Sequence, residues 1–292
     1  MNVTVVGGGT MGHGIAQVAA MGHHEVTIRD VETDLVAAAI DNIESNLQKG
    51  VELEKVSADV MAATLERIQG TTDIQEAVLG ADLVIEAVPE DMVLKKQVFE
   101  EIEGFASEET VIATNTSSMS VTELASVLDA PQRAVGTHFF KPPHLMDLVE
   151  VMVAEQTAEE TVDFALNFVE SISKEPIVVA DSPGFATSRL GVYFGLEALR
   201  MVESGVARPD HIDKAMRLGF NHPMGPIELT DMVGLDIRIN VAQNLREELG
   251  ERFRPPQILK KKVRAGKLGR KTGEGFYLWE DGEKVGLADD WD

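Results

Sequence analysis

Cysteine is absent from the 292 residues, and that one gap removes several chemistries at once. Disulfides, thiolate nucleophiles and cysteine-ligated zinc or iron–sulfur centres are all excluded. No apolar run approaches the ~18 residues of a membrane-spanning helix. Met1 leads directly into Asn2-Val3-Thr4-Val5-Val6, without the basic stretch, apolar core or small-residue cleavage site of a secretory leader. A soluble, cytoplasmic protein is therefore expected. The sequence also lacks an H-E-x-x-H segment, an EF-hand loop and any paired His–carboxylate ligand pattern, so no metal site is expected.

Basic residues are scarce: 26 Lys and Arg stand against 49 Asp and Glu, a formal charge of −23. A field of that sign opposes nucleic acid and anionic membranes, so neither is an expected partner. Self-repulsion of this size destabilises a fold in dilute buffer, but at ~1 M salt the Debye length contracts to ~3 Å and the penalty largely vanishes. A halophile's salt-loaded cytoplasm is one reading of this balance; a generic acidic enzyme is the other.

What is present bounds the architecture. Hydrophobic residues make up 44% and charged residues 26%, ordinary values for a globular chain, so disorder is not a candidate. The length exceeds one domain of ~100–200 residues, and two domains are expected. Short apolar runs at Val3–Val6, Glu25–Arg29, Asp82–Ala87, Thr110–Ala113, Arg133–Thr137, Leu148–Val153 and Ile177–Ala180 read as strands. Helical spacing fits Ile15–Met21, two helices between Val31 and Leu65 broken near Gly50, Met92–Phe105 and Glu159–Ser171. Alternation of β and α implies an α/β domain, a doubly wound, mostly parallel sheet covered by helices. Asp181-Ser182-Pro183-Gly184 punctuates the chain, giving domains 1–182 and 183–292. Beyond it Phe185–Gly205, Pro209–Arg217, Gly225–Leu249 and Pro256–Ala265 predict a smaller, mostly helical domain. Leu287–Asp292 reads as an acidic tail.

Gly7-Gly8-Gly9-Thr10-Met11-Gly12 satisfies G-x-G-x-x-G between a strand and a helix. Gly7 permits the tight turn, Gly9 lets backbone approach a pyrophosphate, and Gly12 lets helix and strand pack closely. The helix N-terminal amides then face the phosphates. Asp30, ending the second strand, stands near the ~20-residue spacing of an acid that binds a ribose 2′-hydroxyl, and its charge would repel a 2′-phosphate. NAD is thus expected over NADP.

His138 follows the strand Arg133–Thr137, where the strand C-termini of a doubly wound sheet form a crevice wall. Glu150 is a lone carboxylate inside the apolar strand Leu148–Val153, and a buried carboxylate needs a partner such as a histidine that must become imidazolium. Asn115-Thr116-Ser117-Ser118 either caps the following helix or offers hydrogen bonds to ligand. Lys260, Lys261, Lys262, Arg264, Lys267, Arg270 and Lys271 crowd one acid-free stretch, either an anion site or a solvated helix face. His23-His24 reads as a surface turn.

Taken together, Val5–Ala16, Asp82–Glu90, Asn115–Ser118, Gly136–Pro142, Leu148–Val151, Asp181–Phe185, Pro223–Asp236 and Gly269–Tyr277 resemble the L-3-hydroxyacyl-CoA dehydrogenases, in order and along nearly the whole chain. The resemblance implies a Rossmann-like NAD-binding domain and a helical C-terminal domain that serves substrate and forms a homodimer. It implies His138 as general base, Glu150 as the carboxylate that orients it, and Ser117 beside the substrate oxygen. It further implies Asp30 at the adenosine ribose, with Glu90, Lys95, Asn115 and Lys271 near the cofactor. The substrate would be an acyl-CoA, with a small non-CoA hydroxy acid of the sugar-acid or carnitine type as the alternative anionic substrate and a non-catalytic NAD-binding protein as the remoter one. The chain departs from the family pattern at Lys141 and at Ser188, each standing where Asn is usual, and Ser188 falls in the catalytic cleft. Lys141 could draw an anionic substrate or lower the pKa of nearby His138.

Overall fold

The computed structural model describes residues 1–288, so the end of the acidic tail, residues 289–292, lies outside the described residues. Two compact units divide the chain, Met1–Phe185 and Ala186 onward.

The first unit opens with β1 (Asn2–Val6), α1 (Gly12–Met21), β2 (Glu25–Arg29), α2 (Thr33–Glu52), α3 (Ala58–Leu65) and β3 (Ile68–Thr71). It continues through α4 (Ile74–Val78), β4 (Leu83–Glu86), α5 (Met92–Glu103), β5 (Val111–Thr114), α6 (Val121–Ala125) and β6 (Ala134–Phe139). It closes with β7 (Leu148–Val153), α7 (Glu159–Ser171) and β8 (Glu175–Ala180). The eight strands form one sheet in the order β3-β2-β1-β4-β5-β6-β7-β8, parallel from β3 to β6. Chain direction reverses at β7, because the connection 140–147 is too short for the helical crossover that a parallel neighbour requires. Strand order changes sense between β1 and β4, which opens a crevice beyond the C-termini of those strands.

Helix positions follow from the apolar spacing. In α2, Val36, Ala39, Ile43 and Leu47 are the buried residues, one stripe at helical period, and the opposite face is solvated. The break expected near Gly50 falls at the end of this helix, which runs on to Glu52. One face of the sheet packs α1, α2 and α7 through Val5, Ile15, Ile28, Ile43, Val149 and Phe168. The other packs α4, α5 and α6 through Val84, Phe99, Ile112 and Leu124. Both faces covered is the reason the central strands β4 and β5 are buried at every position. His24 corrects the surface reading of its turn: it is buried, and its Nε2 lies 2.8 Å from Ser171 Oγ at the end of α7.

The second unit contains α8 (Thr187–Glu203), α9 (Pro209–Gly219), α10 (Pro226–Val233), α11 (Leu235–Leu249) and α12 (Gln257–Arg264), then a hairpin of β9 (Tyr277–Glu280) and β10 (Glu283–Leu287). The single helix expected over Gly225–Leu249 is two, because Gly234 turns with φ +106° between α10 and α11. Asp231 anchors the hairpin: fully buried, its carboxylate accepts from the amides of Phe276 (3.0 Å) and Tyr277 (2.8 Å) and from Trp279 Nε1 (3.1 Å). Among the described residues no helix is long and apolar enough to cross a membrane.

Asp231→Ala strands three buried donors, each a desolvated group without a partner, and is expected to lower stability by ~3 kcal/mol or more. Chemical denaturation of the full chain measures it, and a loss under ~1 kcal/mol would show that the hairpin is held by other contacts.

Candidate active site at the sheet's C-terminal edge

The Gly-rich turn between β1 and α1 is shaped by close backbone approach. Gly7 has φ +103°, and a Cβ there would sit 2.8 Å from the Ala87 carbonyl oxygen. A Cβ on Gly12 would sit 1.7 Å from the carbonyl oxygen of Gly7, so the helix can begin against the strand only with glycine at that position. A Cβ on Gly9 would meet nothing within 4 Å, leaving open space above the turn. Gly9 and Thr10 are exposed, Met11 is half-buried, and no side chain caps α1. A turn with uncapped helix amides under open space is chemically suited to a pyrophosphate, so the residues present fit a dinucleotide. Asp30, just past β2, accepts from Gly8 N (2.7 Å) and Val31 N (2.7 Å), which fixes a carboxylate beside the turn.

Three strand spacings away, His138 and Glu150 face each other across the antiparallel β6–β7 pair. Their separation in sequence becomes direct opposition because the chain reverses between them. His138 Nδ1 lies 2.8 Å from Glu150 Oε2, with the carboxylate fully buried and the imidazole nearly so. An ionised carboxylate can only accept, so Nδ1 carries the hydrogen and Nε2 keeps a free lone pair. The ring is flanked by Phe140 and Phe185, at centroid distances of 4.6 and 6.0 Å.

Between these two ends lies a buried charge cluster. Glu86, the last residue of β4, is fully buried and accepts from Lys95 Nζ (2.8 and 3.1 Å), Thr114 Oγ1 (2.7 Å) and Val88 N (2.6 Å). Lys95, sealed on α5, also reaches the Val88 carbonyl (3.2 Å) and Glu90 Oε2 (3.2 Å). Glu90 Oε1 in turn accepts from Thr116 Oγ1 (2.9 Å), Ser117 N (2.7 Å) and Ser117 Oγ (3.0 Å). Burial drives the Glu86 carboxyl above its ordinary range despite Lys95. Burial also acts upward on Glu90, but the Lys95 charge, the Ser117 amide and the Thr116 hydroxyl together hold it below the usual value.

The structure thus gathers Gly7, Gly9, Thr10, Met11, Gly12, Asp30, Glu90, Lys95, Asn115, Ser117, His138 and Glu150 along one edge of the sheet, at or just past the ends of β1, β2, β4, β5 and β6 or beside them. Asn115 ties two of those strands, its Oδ1 accepting from Phe139 N at 2.9 Å. The helix-cap reading of the Asn115–Ser118 cluster does not hold, since Ser120 caps α6. Glu86 escaped the sequence reading, although a lone acid ending Leu83-Val84-Ile85 is the same signal that singled out Glu150. Exposed Lys141 acts on His13, whose imidazole is pushed below its ordinary value chiefly by burial, with the Lys141 charge adding to it.

Ser188 and Lys271 belong to the second unit: Ser188 lies half-buried in the first turn of α8, and Lys271 Nζ is 2.5 Å from Asp236 Oδ2. The basic stretch is not one solvated face. Lys262 is buried with its Nζ 5.1 Å from the Phe276 ring centroid, and Lys267 pairs with Glu274 at 2.5 Å.

A doubly wound sheet with a phosphate turn at one strand end and a carboxylate-backed imidazole at another defines an NAD-dependent oxidoreductase. Residues 2–182 match the NAD-binding domain of 3-hydroxyacyl-CoA dehydrogenase and residues 184–279 match its C-terminal domain. The chain is 40% identical over 286 residues to mitochondrial hydroxyacyl-coenzyme A dehydrogenase of Sus scrofa, covering 96% of this chain and 91% of that one. It is 39% identical to 3-hydroxybutyryl-CoA dehydrogenase of Clostridioides difficile, covering 95% and 99%. The crystal structure of (S)-3-hydroxybutyryl-CoA dehydrogenase from Ralstonia eutropha superposes with a TM-score of 0.92 at 38% identity, over 96% and 99% of the two chains. This chain belongs to the 3-hydroxyacyl-CoA dehydrogenase family.

Gly12→Ala drives a methyl group into the Gly7 carbonyl and must reshape the turn. Titration by calorimetry is expected to show NAD affinity falling at least tenfold, with far-UV circular dichroism unchanged; unaltered affinity would place the phosphates elsewhere.

Proposed function

We propose that the protein interconverts (S)-3-hydroxyacyl-CoA and 3-oxoacyl-CoA with NAD, His138 serving as the proton acceptor. The observation that carries this reading is the 2.8 Å contact between His138 Nδ1 and the fully buried Glu150 carboxylate, which leaves Nε2 to serve as a base. Bound NAD supplies the hydride acceptor. His138 Nε2 takes the proton of the 3-hydroxyl, and Glu150 offsets the charge of the imidazolium that forms. Both groups are nearly removed from water, so their mutual attraction is little screened. Phe140 and Phe185 help exclude solvent from the ring. Ser117 is positioned by its bonds to Glu90 and is assigned to the substrate oxygen; Asp30 is assigned to the adenosine ribose. On the resemblance alone, the proposal extends to Ser188 at the substrate and Lys271 near the cofactor, to residues 1–182 and 183–292 as cofactor and substrate domains, and to homodimerisation through the latter.

A small non-CoA hydroxy acid is the second reading, favoured by the exposed ammonium of Lys141 just past His138, which suits a substrate carboxylate. NADH oxidation with acetoacetyl-CoA, set against small 3-keto acids, separates the two by kcat/KM.

General acid–base help is worth ~10²–10⁴ in rate, so His138→Ala is expected to lose at least a hundredfold in kcat while NAD still binds. Glu150→Gln should lose tenfold or more, because an amide cannot offset the imidazolium. Turnover near that of the unaltered protein in His138→Ala would end the proposal.

We further propose that the charge of −23 reflects work in a cytoplasm rich in salt. Melting temperature is expected to climb steadily from dilute buffer to molar KCl, and a flat profile would leave only a generic acidic enzyme.

A further inference from the structure

The Glu86–Lys95–Glu90 cluster enters no step above, yet its place in the sheet puts it on the cofactor's path. On the reading above, the cofactor's phosphates belong at the turn after β1, and the proton acceptor, His138, stands near the end of β6. Because the strand order between them is β1-β4-β5-β6, a ligand tethered to the first and facing the second crosses the ends of β4 and β5. Three interstrand spacings of ~4.8 Å separate the two ends of that path. Glu90 follows β4 and Ser117 follows β5, joined by two hydrogen bonds of 2.7 and 3.0 Å.

The cluster is unbalanced in charge. Two carboxylates share one ammonium, with Lys95 Nζ 2.8 Å from Glu86 and 3.2 Å from Glu90. Glu86 and Lys95 are sealed from solvent, whereas the Glu90 side chain is 39% exposed, so the surplus negative charge faces outward at Glu90. The two redox forms of the cofactor differ in charge at one place: the oxidised nicotinamide ring is cationic and the reduced ring is neutral. A fixed negative charge beside that ring lowers the energy of the oxidised form and leaves the reduced form nearly unmoved.

We infer that Glu90, positioned by Lys95 and Glu86, sets the ratio of affinities for oxidised and reduced cofactor by favouring the cationic nicotinamide. The inference rests on the dehydrogenase reading above and adds to it a residue that biases which redox form the protein holds. Glu90 acts here through its charge, and the Lys95–Glu86 pair acts through Glu90.

The test is the dissociation constant of the full chain for NAD+ and, separately, for NADH by calorimetry, in Glu90→Gln and Ser117→Ala beside the unaltered protein. Glu90→Gln keeps an oxygen that can accept from Ser117 but removes the charge; it is expected to weaken NAD+ at least fivefold while NADH changes less than twofold. Ser117→Ala removes the hydroxyl contact and keeps the charge, so the ratio of the two constants should stay within twofold. Glu86→Gln removes the same unit of charge from the sealed end and should shift the ratio in the same direction, which keeps the test open should Glu90→Gln fail to fold. Equal weakening of both forms in Glu90→Gln, or a ratio within twofold of the unaltered protein, overturns the inference while leaving the dehydrogenase reading intact. Absence of binding of either form to the unaltered protein overturns both.

Discussion

A carboxylate sealed from water in an apolar strand must find a counter-charge, and this requirement shapes one edge of the sheet. Glu150 meets it with His138 and Glu86 meets it with Lys95, each carboxylate fully buried. Leaving either ion alone would cost several kcal/mol, roughly what its removal from water demands. The partners are therefore not free to move, and what they hold is fixed with them. His138 presents Nε2 because its other nitrogen is taken, and Glu90 presents Oε1 to Ser117 because Lys95 binds its other oxygen. The geometry of this edge is a consequence of charge burial as much as of strand packing.

The sheet topology supplies the complementary constraint. Parallel pairing from β3 to β6 brings the ends of β1, β4, β5 and β6 to one side, and reversal at β7 delivers Glu150 directly opposite His138. Had β7 run parallel, a crossover of a dozen or more residues would have separated the pair, and Glu150 would have entered the sheet from the other end. A short connection is thus what allows the pairing. Asn115 extends the same logic, clamping the end of β5 to the Phe139 amide one residue beyond the histidine.

These features were unequally legible in the amino-acid sequence. The glycine turn, Asp30, His138 and Glu150 could be read because each breaks a local pattern: glycines between strand and helix, or a charge in an apolar strand. Glu86 broke the same pattern within the expected strand Asp82–Ala87 and went unread, since its partner Lys95 lies in the following helix, where a lysine looks like part of a solvated face. β3 was missed because Ile68-Gln69-Gly70-Thr71 is an edge strand with no fully buried position. Edge strands need not be apolar, so hydrophobic pattern is silent there. The β9–β10 hairpin carried a usable signal, Asp281-Gly282 between two apolar runs. His24 was beyond local reading, because its partner Ser171 lies 147 residues away.

The basic stretch shows how the acidic chain spends its few cations. As a run in sequence it suggested an anion site or a solvated helix face, but folding distributes it. Lys262 turns inward onto Phe276, where its charge also eases the burial of Asp231, whose carboxyl burial otherwise drives upward. Lys267 and Lys271 meet Glu274 and Asp236, pinning the segment between α12 and β9. At surface positions such pairs contribute little and weaken as salt rises. The inward cation is different, because screening by salt does not reach a buried group as it reaches the surface. In a protein of this charge, high salt would therefore relieve repulsion among exposed acids while sparing the interior contacts of Lys262 and Lys95. Negative charge on the outside and compensated charge within is an arrangement that gains from salt at the surface and loses little in the core.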